Sequence, residues 1–318
     1  DSSPSRGLGD VYKRQLQSGL FIKRPFFFDM KLVDFLTLLF VSILWGGSFL
    51  FLRLLVLEGL APLEIVSIRM MLAALFITPF FIVKFKKYSF YDHGFAFVLV
   101  GILNTALPFT LFAFASVELG AGSLSILQAT VPILTALLLF SFYKGEFSVF
   151  KLIGVIIGFV GLFVLVGPSG GFDPFSSILC IIASLSYAIA GIYLAKTPER
   201  ISNSFIGMGS IIVGAIIMLP FLLTSSNTLQ NLTRDSWTYL AILGVINTSL
   251  AYVIFISLIK KIGPINASFV TYLVPVSSIS LGILVLDEAF TIPMFAGSML
   301  IFMGVFFANS EKKPKKLL

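Results

Sequence analysis

The sequence predicts an all-α integral membrane protein with ten transmembrane helices, arranged as two inverted five-helix repeats. Three observations predict it. The 318-residue chain is 58% hydrophobic and only 12% charged, whereas a water-soluble domain is nearer half apolar and a quarter charged. Its apolar residues fall into ten runs of roughly the length that crosses a bilayer. The second half of the chain also rewrites motifs of the first.

The ten runs are 33–53, 65–84, 94–115, 121–143, 151–168, 175–195, 204–224, 237–259, 265–286 and 292–309. Short joins rich in turn residues separate them, among them GLAP, ELGAGS, YKGE, GPSGGFDP and KKIGP. The runs are continuously apolar rather than alternating, which argues against a β-barrel. The 35 Phe suit a lipid-facing surface. The single cysteine, Cys180, excludes an intramolecular disulfide framework and leaves the redox compartment open. Residues 1–29 are polar, then basic, and Met30 stands directly before the first run. They are expected to be either a non-native extension or a disordered basic arm. They lack the short apolar segment and small-residue site of a cleaved signal peptide.

The net charge of +7 would suggest nucleic acid if it formed one patch. Instead it sorts by loop. One set of connections holds Lys84, Lys86, Lys87, Lys144, Lys151, Lys196, Arg200, Lys260 and Lys261. Lys31 precedes the first run, and residues 311–318 form a basic tail with four lysines. The alternate connections hold Glu58, Glu64, Glu118, Asp173, Arg234 with Asp235, and Asp287 with Glu288. The positive-inside rule places both termini and the lysine-rich loops in the cytoplasm of a cell (inner) membrane protein. The lysines orient the chain and touch anionic lipid.

Residues 101–107 read GILNTAL, and residues 244–250 read GVINTSL. The same offset of 143 (244 − 101) pairs Gly120 with Gly263, Pro132 with Pro275, Gly154 with Gly297 and Gly161 with Gly304. GEF at 145–147 matches DEA at 287–289 with one residue of slip, and SILW at 42–45 faintly matches SLSY at 184–187. Spans 2 and 7 share little beyond Pro79-Phe80 and Pro220-Phe221. The two units are 31–168 and 175–310. Five spans per unit is odd, so the second copy enters the membrane the opposite way. The charges agree, since Glu118 falls on an outer loop and its counterpart Lys261 on an inner one. Inverted repeats build many secondary transporters, with substrate near the midplane between the halves.

On these motifs the chain resembles the drug/metabolite transporter superfamily, specifically its EamA-like ten-helix transporters, over residues 31–310. ILWGGSFLFLR at 43–53 resembles the family's first-helix pattern, and Arg69 with RMMLAALF its second. Pro132 with Gly145-Glu146, and Pro275 with Asp287-Glu288, resemble its proline-to-Gly-Glu pattern. Asp287 stands where Gly is usual. The resemblance implies alternating-access movement of a small metabolite, such as an amino acid or related compound, in the outward direction. It implies no cofactor. The expected partners are that small-molecule substrate and membrane lipid, with a homodimer left open.

Polar residues inside the spans are the candidate site. Asn104 and Asn247 lie deep in spans 3 and 8, where an amide is costly unless hydrogen-bonded. They either line a central cavity or join helices. Trp45 and Tyr187 hold matching places in spans 1 and 6, as cavity walls or plain packing. Arg69 is the sharpest ionisable group. It either holds a substrate carboxylate, pairs with Glu64 or Glu58, or snorkels to the outer surface. Gln128, Tyr252, Thr271 and Tyr272 are further polar points. Gln128 and Thr271 stand four residues before Pro132 and Pro275, which free the carbonyls there for binding or for bending. Glu146 and Glu288 read better as helix-end carboxylates than as proton carriers. Gly154 and Gly158 read as helix packing.

The chain has one His, His93, and no HExxH, CxxC or P-loop pattern. Nothing points to a catalytic centre or a metal. The rival readings are an integral membrane enzyme acting on lipid or peptide, and a passive channel or structural membrane subunit.

Overall fold

The computed structural model describes residues 31–85, 90–142, 149–166, 172–197, 202–224, 231–267 and 270–309. The expected extension 1–29, the basic tail and Glu146 lie outside the described residues. Among the described residues the helical segments group into ten rods, and no strand occurs. They are α1 (Leu32–Leu57), α2 (Pro62–Phe85), α3 (Phe90–Gly101, Ile102–Ala106 and Leu107–Ala115) and α4 (Ala121–Gln128 and Val131–Phe142). Then come α5 (Val149–Val166), α6 (Pro174–Lys196) and α7 (Asn203–Thr224). The last three are α8 (Arg234–Ala241, Ile242–Leu250 and Ala251–Ala267), α9 (Val270–Leu286) and α10 (Ile292–Asn309). Seven rods (α1–α4 and α6–α8) are long and apolar enough to cross a membrane, and α5, α9 and α10 are shorter apolar helices. Leu32, Phe95, Phe163, Leu284 and Ile292 are all at least 70% exposed. Such a surface suits lipid rather than water. The protein is an all-α, multi-pass membrane protein.

The middle segments of α3 and α8 are π-helical, and they contain the two Asn-Thr motifs. In α3 the Leu107 N–H reaches back five residues to the Ile102 carbonyl. Pro108 follows at once and has no N–H to continue an α register. In α8 no proline stands at this place. There the Thr248 hydroxyl donates to the Leu243 carbonyl, 2.7 Å away and also five residues back. Single π turns inside α-helices gather at functional sites, because they free backbone groups and re-aim side chains.

The helix pairings repeat in matched form. α1 packs on α9, and α6 packs on α4; α8 lies against α1, and α3 against α6. α2 pairs with α7, α5 with α10, and α4 with α9, each helix meeting its own counterpart or its counterpart's partner. A methyl built on Gly161 would stand 2.8 Å from the Gly297 carbonyl oxygen, and one on Gly304 would stand 2.6 Å from that of Gly154. The early residue of one helix thus meets the late residue of the other, so α5 and α10 run antiparallel. These glycines pack helices backbone to backbone.

Cross-links between helix ends fall into two separate sets. At one face Arg53 donates to the Ser116 and Val117 carbonyls, Ser236 donates to Glu58, and the Ala121 N–H donates to Glu288. At the other, Lys84 donates to Ser204, the Ser202 N–H donates to His93, and Lys261 lies 3.9 Å from Asp34. None of these links joins an acidic-set loop to a lysine-set loop.

Span 4 is interrupted at Ala129–Thr130, just before Pro132. The Leu127 carbonyl released at the break accepts from the Thr130 N–H and from the Ser184 hydroxyl of α6. α9, by contrast, runs through Pro275 without interruption. One expectation needs correction: KKIGP is not a join, because α8 continues through it to Ala267. Asp287 has φ +52, a left-handed conformation that suits the Gly usual at this place in the family it resembles.

Candidate functional site

The π turns of α3 and α8 face a cavity of about 440 Å³ near the centre of the bundle. Such a volume suits a small-molecule site. Trp45, Arg69, Asn104, Gln128, Tyr187, Asn247 and Thr271 all line it, and so does Tyr252. The Tyr272 side chain lies outside the described residues, although its backbone belongs to α9. Pro132 and Pro275 are not in the wall; their helix neighbours Val131 and Val274 are.

Arg69 does not snorkel. It is only 6% exposed, because it points inward from α2. Its Nε donates to the Thr248 hydroxyl across 3.0 Å. Its guanidinium carbon lies 3.8 Å from the centroid of the Phe109 ring. Desolvated cation–π contacts of this kind are worth about 2 kcal/mol. The two carboxylates that seemed able to pair with it are engaged elsewhere. Glu64 accepts from the Ala61 N–H at 3.0 Å, and Glu58 accepts from Ser236. Arg69 thus faces the cavity without a carboxylate partner among the described residues. Tyr187 stands near both Arg69 and Gln128.

Asn247 is 2% exposed, and its amide nitrogen has no hydrogen-bond partner among the described residues. The Ser48 hydroxyl is in the same state. Leaving such a group unsatisfied costs about 1–3 kcal/mol. Both residues lie in the cavity wall. Gly47 lies beside Asn247, and a methyl built there would meet the Asn247 amide nitrogen at an ordinary contact distance of 3.5 Å. Gly46 serves packing instead: its Cβ would stand 2.8 Å from the Ser278 backbone nitrogen on α9. Asn104 is only half-buried. The rest of the wall is largely apolar and includes Phe49, Phe109, Phe112 and Phe255. Trp45 packs edge-on against Phe255 at 4.7 Å between centroids.

Sequence reasoning missed several of these residues. Thr105 and Thr248 sit in both copies of the duplicated motif, so the same signal that marked the asparagines could have found them. Phe109 and Ser48 carry no signal of their own in the sequence. Glu288 also does more than end a helix. Its carboxylate accepts from the Ala121 N–H at 2.7 Å and the Gly122 N–H at 3.1 Å, capping the start of α4 from the far half of the chain. At the head of α6, the Ser176 backbone N–H holds the Asp173 carboxyl below the usual carboxylate range.

A helical, multi-pass bundle with broken or π-wound helices around a central polar pocket is the build of a membrane transporter. The chain belongs to the EamA-like transporter family, whose model matches twice, over residues 33–167 and 174–310. It is 24% identical over 289 residues to "Uncharacterized transporter YoaV" of Bacillus subtilis (strain 168), covering 86% of this chain and 96% of that protein. It is 23% identical over 245 residues to "Uncharacterized inner membrane transporter YedA" of Escherichia coli (strain K12), covering 76% and 78%. A solved crystal structure with 16% identity covers 86% of this chain and 95% of its own, with a TM-score of 0.56. At that identity the likeness concerns the fold alone.

Proposed function

We propose that this protein is an alternating-access secondary transporter, which exports a small metabolite such as an amino acid or a related compound. Ten transmembrane helices would form two inverted five-helix repeats that rock around the central cavity. Both termini would face the cytoplasm. The observation that carries this reading is the cavity itself. The two copies of one motif meet there, and three buried polar groups (Arg69, Asn247 and Ser48) enter it with hydrogen-bonding capacity to spare. The antiparallel α5–α10 pair and the two separate sets of end contacts support the inversion. The lysine-rich loops support the orientation.

Counterflow in proteoliposomes tests the function. Purified protein is expected to exchange labelled for unlabelled substrate saturably, and the Trp45→Ala, Asn104→Ala and Asn247→Ala variants are expected to slow that exchange. Normal exchange by all three would refute the pocket assignment. Cysteine labelling tests the topology. Glu118 is exposed and Lys261 is 65% exposed, so single cysteines at both positions are accessible to reagent. Labelling of position 118 from outside and 261 from inside is expected. Labelling of both from one side would refute the inverted arrangement.

A further inference from the structure

Among the described residues lining the cavity, Arg69 is the sole charged side chain. Every other polar group there is neutral, and no carboxylate stands in the wall. Thr248 takes only the Nε of Arg69, and Phe109 takes one face of the guanidinium. The terminal nitrogens of the fork have no hydrogen-bond partner among the described residues. A buried cation without a counter-ion is an incomplete site, and a planar fork with free terminal nitrogens matches a carboxylate geometrically. The unpartnered Asn247 amide and Ser48 hydroxyl each add a neutral donor in the same wall. An ammonium group, by contrast, would find no acid to meet it. The aromatic lining fits an apolar body.

We infer that the substrate is an organic monoanion: a carboxylate on an aromatic or branched apolar body, without an ammonium group. Arg69 holds the carboxylate through its terminal nitrogens, and Asn247 and Ser48 donate to it or to an oxygen beside it. Binding brings the cavity to neutrality. A zwitterionic amino acid with the same side chain binds more weakly, because its ammonium must be desolvated beside a cation. This inference rests on the transporter reading and, within its class of small metabolites, selects deaminated relatives of amino acids over the amino acids themselves.

The test compares matched ligands on the full-length protein in detergent, by thermal shift and titration at pH 7. The panel pairs phenylpyruvate and 3-phenylpropionate with phenylalanine and phenethylamine, and 4-methyl-2-oxopentanoate with leucine. Saturable stabilisation by the monoanions is expected, at least tenfold weaker binding by the amino acids, and none by the amine. Arg69→Gln is expected to weaken monoanion binding at least tenfold, and Arg69→Lys to restore part of it. Arg53→Gln, which removes a cation outside the cavity, leaves that affinity unchanged. The inference is overturned if the amino acids bind as tightly as their deaminated partners, if no anion of the panel binds, or if Arg69→Gln binds anions like wild type. The ligand comparison on wild-type protein decides even if the Arg69 variants fail to fold. Monoanions that bind without counterflow would sink the transporter reading and leave the site assignment intact. Counterflow of amino acids without anion binding would do the reverse.

Discussion

The two Asn-Thr turns are written alike, wound alike and packed alike, yet they meet different chemistry. Each sits against a neighbouring helix through its leading glycine. A methyl on Gly101 would approach the Ser210 carbonyl oxygen at 3.2 Å, and one on Gly244 the Arg69 carbonyl oxygen at 2.8 Å. The same offset that aligns Pro79 with Pro220 aligns Arg69 with Ser210. The hydroxyl of Thr105 reaches the Ser210 carbonyl at 3.3 Å, while that of Thr248 accepts from the Arg69 side chain. Duplication therefore supplies the frame of the cavity, and the departure from duplication supplies its charge. One half presents a cation where the other presents only a small hydroxyl.

The largest effect that tests this comparison is on binding. Asn247 is buried with an unpartnered amide, whereas Asn104 is half-buried. Asn247→Ala is expected to weaken ligand binding about tenfold, the loss of roughly one hydrogen bond of 1.4 kcal/mol. It should do so without lowering the melting temperature of the empty protein, because an unsatisfied donor is removed. Asn104→Ala is expected to cost less in affinity. Titration of both variants beside thermal unfolding checks this, and equal losses would break the asymmetry.

A smaller effect concerns the frame. Gly244→Ala places its methyl against backbone at 2.8 Å and against the Leu72 Cβ at 2.9 Å. It is expected to destabilise by about 1–3 kcal/mol. Gly101→Ala meets Val213 at 3.0 Å and the Ser210 carbonyl oxygen at 3.2 Å, looser contacts than those at Gly244, and alanine favours a helix by nearly 1 kcal/mol over glycine. Its net cost is therefore expected to be within about 1 kcal/mol. Unfolding of the two purified variants under the same conditions would show the difference, and equal destabilisation would contradict the packing described for α8 on α2.

The smallest effect lies at the first helix of each half. α6 begins at Asp173, whose carboxylate accepts from the Ser176 N–H at 2.7 Å, while α1 begins at Lys31 with no side-chain cap. The Asp173 pKa is lowered in the folded protein. Its stabilisation is thus fully present above the ordinary carboxylate pKa of about 3.9. It is lost as the pH falls through the lowered native value. Asp173→Asn keeps a good cap and removes this titration. Melting curves of wild type and variant are expected to agree at neutral pH and to separate slightly in acid, with the variant then the more stable. Identical curves down to pH 3 would show that this cap contributes nothing.

Much of the fold was legible because hydropathy and charge are local. Leu32–Leu57 or Asn203–Thr224 declares itself by composition, since hydrocarbon tolerates little else across its thickness. The motifs GILNTAL and GVINTSL revealed the duplication by direct comparison. Element ends were less legible. The break in α4 falls just before Pro132, but its place at Ala129–Thr130 is not written in the proline alone, and the extension of α8 runs past a glycine-proline pair that reads locally as a stop. The candidate site was legible as a set of residue types: the spans hold few polar side chains, and eight of the nine singled out line one cavity, the side chain of the ninth, Tyr272, lying outside the described residues. What each does there was not legible.

By itself, then, the sequence determined an all-α membrane chain, the rough position of its helices, the sorting of its charges and the repetition of its central motif. Each is a property of a residue and its near neighbours in the chain. Only the tertiary structure decided that Arg69 faces Thr248 and Phe109 rather than Glu58 or Glu64, that Asn247 lacks a partner while Asn104 is half-open, and that Glu288 caps α4. Those outcomes depend on which groups share a buried space. Arg69 and Thr248 are 179 residues apart, and Glu288 and Ala121 are 167 apart, distances over which only the packing of the bundle fixes the partner.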